Sequence, residues 1–265
     1  MVKTSEPHST HREVELLDTL RSLGGSARTG ALAEALGVSE ETIRRTVKAL
    51  AKSGLLQRVH GGVYLTNKDA LSPFAARLGR HSEEKARIAA QVAGMIPNGS
   101  SLFLDVGSTT AFVAEKLKDH RDLTVITNAL TPAQGLVGRN GNKVYLAGGE
   151  LREVESGSFG QDTIAFAQRF HIDTAILSID GIDTRSGFLL AGAAEADLAR
   201  VVVERAKRRI IVADHSKFGQ PAPFVACPAD AVDVLVTDKA PHPVFEKRLG
   251  EWGIELVLAG PKGQK

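Results

Sequence analysis

The stretch VSEETIRRTVKALAKSGLLQRVHGGV, running from Val38 to Val63, places a tight turn, a short helix and a basic ribbon one after another. Gly37 and Val38 suit the turn, and Ser39 offers its hydroxyl to the first free N–H groups of the helix that follows. Glu40 and Glu41 then fall at the positive end of that helix's dipole. Ile43, Val47 and Leu50 recur at the i, i+4, i+7 spacing of a buried stripe, which turns Thr42, Arg44, Arg45, Thr46 and Lys48 to the sides or to solvent. Arg44, Arg45, Lys48, Lys52 and Arg58 follow one another as far as His60 without one Asp or Glu between them. A face of that kind neutralises phosphates and offers arginines to guanine edges. A basic amphipathic helix alone is commonly no more than a solvated surface, so the order of elements has to carry the argument. One apolar stripe (Val14, Leu16, Leu17, Leu20, Leu23) and a shorter one (Leu32, Ala33, Leu36) precede the turn, and the Gly61-Gly62 hairpin follows it. Residues 5–66 are therefore expected to form a small winged helix-turn-helix domain for double-stranded DNA. Ser39, Thr42, Arg44, Arg45 and Lys48 would lie on its reading helix, with Arg58 and His60 on its wing.

The rest of the 265-residue chain is long enough for a second, larger domain. Forty-three per cent apolar residues with a net charge of +2 is a globular composition, and the basic character is confined to the stretch above. A single cysteine, Cys227, excludes an intrachain disulfide and argues against a thiolate metal site. His8 and His11 in the polar amino terminus read as a solvated tail, so no metal is expected. No apolar run approaches the roughly 20 residues needed to cross a bilayer, and the stretch MVKTSEPHSTHRE lacks the apolar core of a signal peptide. A cytoplasmic protein without a membrane partner is the expectation.

Residues 67–81 read as a linker containing Pro73, and the pattern changes after it. From Ser82 to about residue 260, helical stretches alternate with the short apolar runs LFLDV, LTVIT, KVYLA, TAILSI, RIIVAD, DVLVTD and IELVL. Strands of that kind, separated by helices, predict an α/β domain with a mostly parallel sheet covered on both faces. Such sheets bind ligands beyond the carboxyl ends of their strands, and those ends are polar and glycine-rich here. Gly107, Ser108, Thr109 and Thr110 join LFLDV to a helix expected from about Ala111, an arrangement whose free N–H groups and hydroxyls would hold a phosphate. The chain contains neither G-K-[ST] nor G-x-G-x-x-G, so no nucleotide cofactor is expected. Asp180, Asp183, Glu195 and Lys217 could hold sugar hydroxyls or move protons. Glu195 could equally decorate the helix from about Ala193, and Lys217 could be a surface lysine.

The two halves together resemble the DeoR family of bacterial transcriptional regulators. In the first half the likeness rests on LLDTLRSLGG, LAEALGVSEETIRR and LQRVHGGV; in the second on EKARIA, LDVGSTT, LTVITN, LAGG, IDGID and ADHSKFG. The resemblance implies a winged helix-turn-helix joined to a Rossmann-like α/β sensor domain related to ribose-5-phosphate isomerase. It also implies a repressor of carbohydrate genes whose effector is a phosphorylated sugar or polyol. Gly107 to Thr110 would hold the phosphate, Asp180, Gly181 and Asp183 would match the isomerase D-G-x-D string, and Glu195 and the segment Asp214 to Lys217 would stand near it. Thr127, Asn128, Gly148, Gly149 and Arg152 would complete the wall, while Ser156, Ser158 and Phe159 lie outside the shared motifs and would set specificity. After Asp183 the chain reads Thr184-Arg185-Ser186-Gly187 where the isomerase pattern has Lys-Gly, which argues against turnover. Thr46 stands where the family usually has Asp. Readers of this type meet paired half-sites as symmetric oligomers, so a homodimer or homotetramer is expected. Two other readings stay open at this point: a sugar-phosphate isomerase or deaminase carrying an accessory helical domain, and a DNA-binding protein with a degenerate sensor.

Overall fold

The computed structural model describes residues 11–22, 26–52, 55–59, 62–65, 74–152 and 154–260. The chain divides into two compact units, Met1–Lys68 and Asp69–Lys265.

In the first unit, helices α1 (His11–Ser22), α2 (Thr29–Ala35) and α3 (Glu40–Lys52) pack with strands β1 (Ser26–Arg28), β2 (Leu56–Val59) and β3 (Gly62–Leu65). The stripe Ile43, Val47 and Leu50 is buried against Leu16, Leu20, Leu32, Leu56 and Val63, each almost without exposed surface. Burying an aliphatic side chain of this size contributes roughly 1.5–3 kcal/mol, so this cluster holds the small unit together. The turn between α2 and α3 ends α2 in a Schellman motif. Gly37 takes φ +61, its N–H donates to Glu34 O at 3.2 Å, and the Val38 N–H donates to Ala33 O at 3.0 Å. Strands β2 and β3 pair antiparallel with Val59 opposite Gly62, which makes the wing hairpin, and β1 pairs with β3 on its other side. The wing tip, His60 and Gly61, lies outside the described residues.

The second unit is α/β. Its sheet has seven parallel strands: β4 (Ser101–Leu104), β5 (Thr124–Thr127), β6 (Lys143–Leu146), β9 (Ile172–Ser178), β12 (Ala206–Val212), β14 (Val234–Thr237) and β15 (Glu255–Leu258). Their spatial order is β15-β14-β12-β9-β4-β5-β6, so the chain runs outward in one direction from β4 and in the other from β9. The order therefore reverses between β4 and β9, where open sheets of this kind leave a crevice. All seven apolar runs of the sequence form strands of this sheet. The inner ones are buried on both faces, by clusters around Phe103, Leu177 and Val202 and around Ile88, Leu104 and Val212. Two small antiparallel additions decorate the strand ends: the hairpin β7 (Glu150–Arg152) with β8 (Gly157–Phe159), and β10 (Gly181–Asp183), β11 (Gly187–Leu190) and β13 (Phe224–Val225). The string Asp180 to Asp183 that follows β9 is thus mostly strand. Leu189, opposite Gly181, receives the Asp180 N–H on its carbonyl at 2.8 Å.

Candidate functional site

The reading helix has the cap that its sequence suggested. Ser39 Oγ accepts the Thr42 N–H at 3.2 Å and lies 2.9 Å from the Thr42 hydroxyl. Arg45 and Lys48 are exposed on the same helix. Arg44 is drawn back along the helix, 3.0 Å from Glu40 and 3.6 Å from Glu41, so part of its charge is already balanced. Thr46 turns its hydroxyl to the Thr42 carbonyl at 3.0 Å. Arg58 lies in β2, and His60 falls outside the described residues.

In the second unit a cavity opens at the reversal between β4 and β9. Val106, Gly107, Ser108 and Thr109 line it from the β4 side, Ser178, Ile179 and Asp180 from the β9 side, and Arg77, Leu190, Glu195 and Lys217 close it. Helix α6 starts at Ser108 and runs to Lys116, three residues earlier than the expected start at Ala111, so Ser108 and Thr109 form its first turn. Its free N–H groups and positive dipole end therefore face the crevice. Gly107 is there for space. A Cβ on it would overlap the Ser178 hydroxyl and stand 2.7 Å from the Ser178 Cβ.

Several anticipated residues hold the cradle from behind instead of lining this cavity. Thr110 donates to the carbonyls of Gly107 and Asp105, at 2.9 and 3.1 Å. Thr127 donates to Leu104 O at 2.7 Å and accepts the Ala129 N–H at 3.0 Å, joining β5 to β4. Gly148 accepts the Thr163 hydroxyl at 2.7 Å, and a Cβ on Gly149 would meet that hydroxyl at 2.5 Å. Arg152 lies over the Phe159 ring, 5.0 Å from its centroid. A Cβ on Gly181 would overlap the Gln220 carbonyl. Asp183 accepts the N–H groups of Arg185 and Ser186, at 2.9 and 2.7 Å, and so closes the β10–β11 turn. Burial works to raise its pKa, but those N–H groups and the nearby Arg185 charge outweigh it and hold the carboxyl below its usual range.

The acids of the crevice are of two kinds. Asp180 is anchored, its Oδ2 accepting the Ala191 N–H at 2.8 Å. Asp105, at the end of β4, accepts the Ser178 N–H at 2.7 Å and the Ser178 hydroxyl at 3.1 Å. Loss of water nonetheless pushes its pKa up to about 7. Glu195 sits in the first turn of helix α9 (Ala193–Arg205) and accepts the Gly192 N–H at 3.2 Å. Burial first, then the negative charges of Asp180, Glu155 and Asp105, raise it to about 8.

A second cavity adjoins the first through shared Arg77, Ser108 and Lys217, and adds Arg80, His81, Lys85, Asp214 and Ser216. Lys85 is buried on helix α5 (Ser82–Ala93), and its ammonium donates to the carbonyls of Arg77 and Arg80, both at 2.6 Å. Burial lowers its pKa to about 8 against the pull of Asp214. Asp214 feels the cost of burial too, yet the Ser216 hydroxyl and N–H and the Lys217 charge hold it below the usual carboxylate range. The crevice thus has a cationic and helix-N-terminal half beside an acidic half. Arg77, Lys85, Asp105 and Ser178 were not among the anticipated residues. Lys85 had a readable signal, because with Ile88, Ala89 and Val92 it completes the buried stripe of α5. Asp105 follows the buried strand residues Leu102, Phe103 and Leu104 directly, an unusual place for a carboxylate.

Among the described residues no group of His, Cys, Asp or Glu is placed to hold a metal ion, and no helix is long and apolar enough to cross a membrane.

A helix-turn-helix unit with a basic third helix, followed by an α/β unit with a polar crevice at its sheet reversal, is the layout of a DNA-binding regulator with a second, larger domain. The chain belongs to the DeoR family: residues 12–69 match the DeoR-like helix-turn-helix domain and residues 80–239 the DeoR C terminal sensor domain. The glycerol-3-phosphate regulon repressor of Escherichia coli (strain K12) is 40% identical over 234 residues, covering 88% of this chain and 93% of the relative. The transcriptional repressor AccR of Agrobacterium fabrum is 37% identical over 237 residues, covering 89% and 92%. The repressor CsqR of Escherichia coli (strain K12) is 33% identical over 227 residues, covering 86% and 87%. These relatives are transcriptional repressors, not enzymes, so the isomerase reading of Asp180, Asp183, Glu195 and Lys217 gives way. Ribose 5-phosphate isomerase A from Methanocaldococcus jannaschii aligns over 52% of this chain and 54% of its own, at 14% identity and a TM-score of 0.38, a likeness too loose to argue from.

Proposed function

We propose that the protein is a cytoplasmic transcriptional repressor that binds operator DNA as a homo-oligomer and changes its DNA affinity when a phosphorylated sugar or polyol enters the crevice between β4 and β9. The single observation that carries this reading is the bipolar crevice. The amino terminus of α6, Arg77 and Lys217 suit a phosphate, while Asp180 and Glu195 beside them suit hydroxyl groups. Kinship with a glycerol-3-phosphate regulon repressor makes a three-carbon polyol phosphate the first compound to try. Arg45 and Lys48 of the reading helix approach bases and phosphates in the major groove, Thr42 sets the helix, and the wing strand carrying Arg58 meets the backbone. Coupling of ~1–3 kcal/mol between the sites is the usual size for such control.

Fluorescence anisotropy on DNA from upstream of the protein's own gene, at two salt concentrations and with a panel of sugar phosphates, tests this. Selective, salt-sensitive binding that one phosphomonoester alters is the expected result. Selective binding that no phosphomonoester alters would refute the sensor half, and absence of selective binding the whole.

A further inference from the structure

Beside the acidic half of the crevice lies a further small cavity, which Gly107, Ser108 and Thr109 do not line. Val106, Leu190 and Glu195 belong to both spaces, so the two are contiguous. The rest of its wall is Phe103, Phe159, Leu177, Leu198 and Ala199, all apolar, with two further polar residues, Asp105 and Asn128. Water centres have about 20 Å³ there, which is room for about one water or one hydroxymethyl group.

Asn128 is the informative residue. It is fully buried, and its amide orientation is fixed because Nδ2 must face the Ser158 carbonyl, 3.0 Å away, which can only accept. That leaves Oδ1 as a buried acceptor without a hydrogen-bond partner among the described residues. An acceptor in that position is costly unless something donates to it. No cationic residue lines this cavity, and its other two polar groups are carboxyls.

Resting on the sugar-phosphate reading above, we infer that this cavity is the far subsite of the effector and seats an uncharged hydroxymethyl group, which donates to Asn128 Oδ1. The protein then answers to phosphomonoesters of neutral polyols and rejects phosphorylated acids of the same length, whose carboxylate has no hydrogen to give the Asn128 oxygen and meets no cation in the wall. Glu195, raised to about 8, is protonated near pH 7 and can donate to the same hydroxyl. Asn128 is on this account a specificity-determining residue, and Phe159 shapes the apolar wall beside it.

Calorimetric titration of the full-length protein with matched pairs tests the inference: glycerol 3-phosphate against 3-phosphoglycerate, and erythritol 4-phosphate against 4-phosphoerythronate, with inorganic phosphate as the reference. The alcohol of at least one pair should bind on the order of tenfold more tightly than its acid. Asn128→Leu, which removes the acceptor at similar volume, should erase most of that preference, with urea unfolding reporting whether the variant folds. Equal or tighter binding of the acids overturns the inference, as does a folded Asn128→Leu with undiminished preference. The comparison of pairs in the unaltered protein stands even if the variant fails to fold. Binding of phosphomonoesters without discrimination sinks this inference alone, whereas no binding of any phosphomonoester or phosphate sinks the sugar-phosphate reading together with it.

Discussion

Arg45 and Lys48 stand exposed on one helix of the first unit, three residues apart in sequence, whereas Asp180, Glu195 and Lys217 of the second unit reach one crevice from three separate parts of the chain. The first arrangement costs little to build. Exposed charges keep their hydration, and the helix needs only its buried stripe of Ile43, Val47 and Leu50 to present them. The second is expensive, because the carboxyls of Asp105 and Glu195 and, in the adjoining cavity, the ammonium of Lys85 have lost water, and the shifted pKa values of these three record that cost. A surface built for DNA can be rebuilt one side chain at a time. A crevice at a sheet reversal depends on backbone fit.

The largest expected effect attacks that fit. In Gly107→Ala the new methyl meets Ser178 and lies 3.0 Å from the Thr110 hydroxyl, so β4 and β9 must part at their ends. Overpacking of this kind costs about 1–3 kcal/mol. Urea unfolding should show that loss, and titration should show a larger fall in effector affinity than in DNA affinity. A variant as stable as the original, with its effector response intact, would mean that the two strand ends have slack.

The contrast sharpens on the DNA side with the two neighbouring arginines. Arg45→Ala should lower the salt slope of DNA binding by about one unit if Arg45 meets a phosphate. Arg44→Ala should lower it by less, because Glu40 and Glu41 already balance part of that charge. Anisotropy titrations at several salt concentrations measure both slopes, and equal falls would show that Arg44 leaves its carboxylates when DNA arrives.

The partly buried acids make a pH prediction that the exposed face does not. Glu195 and Asp105 hold their protons up to about 8 and about 7 in the folded chain, against ordinary values of 4.5 and 3.8. Between those limits the folded state binds more protons than the unfolded one. Their stabilising contribution is therefore full at low pH and is lost as pH rises to about 8. Lys85 works in the opposite sense above that point, because its pKa is lowered to about 8 and the unfolded chain holds its proton longer. Glu195→Gln should consequently raise the thermal midpoint relative to the original more at pH 8 than at pH 5. A gap between the two proteins that does not change with pH would place Glu195 in contact with water.

How much of each region could be read beforehand follows from the same difference. The helices of the reader were legible because their signal is a local 3.6-residue period, and the seven strands were legible because burial on both faces leaves unbroken apolar runs. Strand β1, Ser-Ala-Arg, carries no such signal and forms by pairing with β3 across the unit. The strands Gly181–Asp183 and Phe224–Val225 are likewise too short to show a period, and each is a strand only because β11 lies between them. In the crevice, the loops after β4 and β9 were readable as strand ends. Arg77 was not, because it comes from the expected linker, and its place in the wall follows from tertiary structure that no local pattern encodes.

The smallest effect concerns Ser39, which caps its helix and is proposed to belong to the reading surface as well. Its hydroxyl accepts the Thr42 N–H, one of the four donors that the first turn cannot satisfy by itself. Ser39→Ala should cost about 1 kcal/mol of stability in the first unit, the usual value of such a cap. If capping is its whole role, Ser39→Asp restores the stability by accepting the same N–H, yet weakens DNA binding by placing a negative charge beside the phosphates. Stability and affinity would then move apart in that variant, as they should where a local cap and a charged surface share one residue. If Ser39→Asp regains neither, the Ser39 hydroxyl matters through its second contact, the Thr42 hydroxyl 2.9 Å away, and the pair acts as one unit. Urea unfolding and salt-dependent anisotropy on the same two variants separate these outcomes.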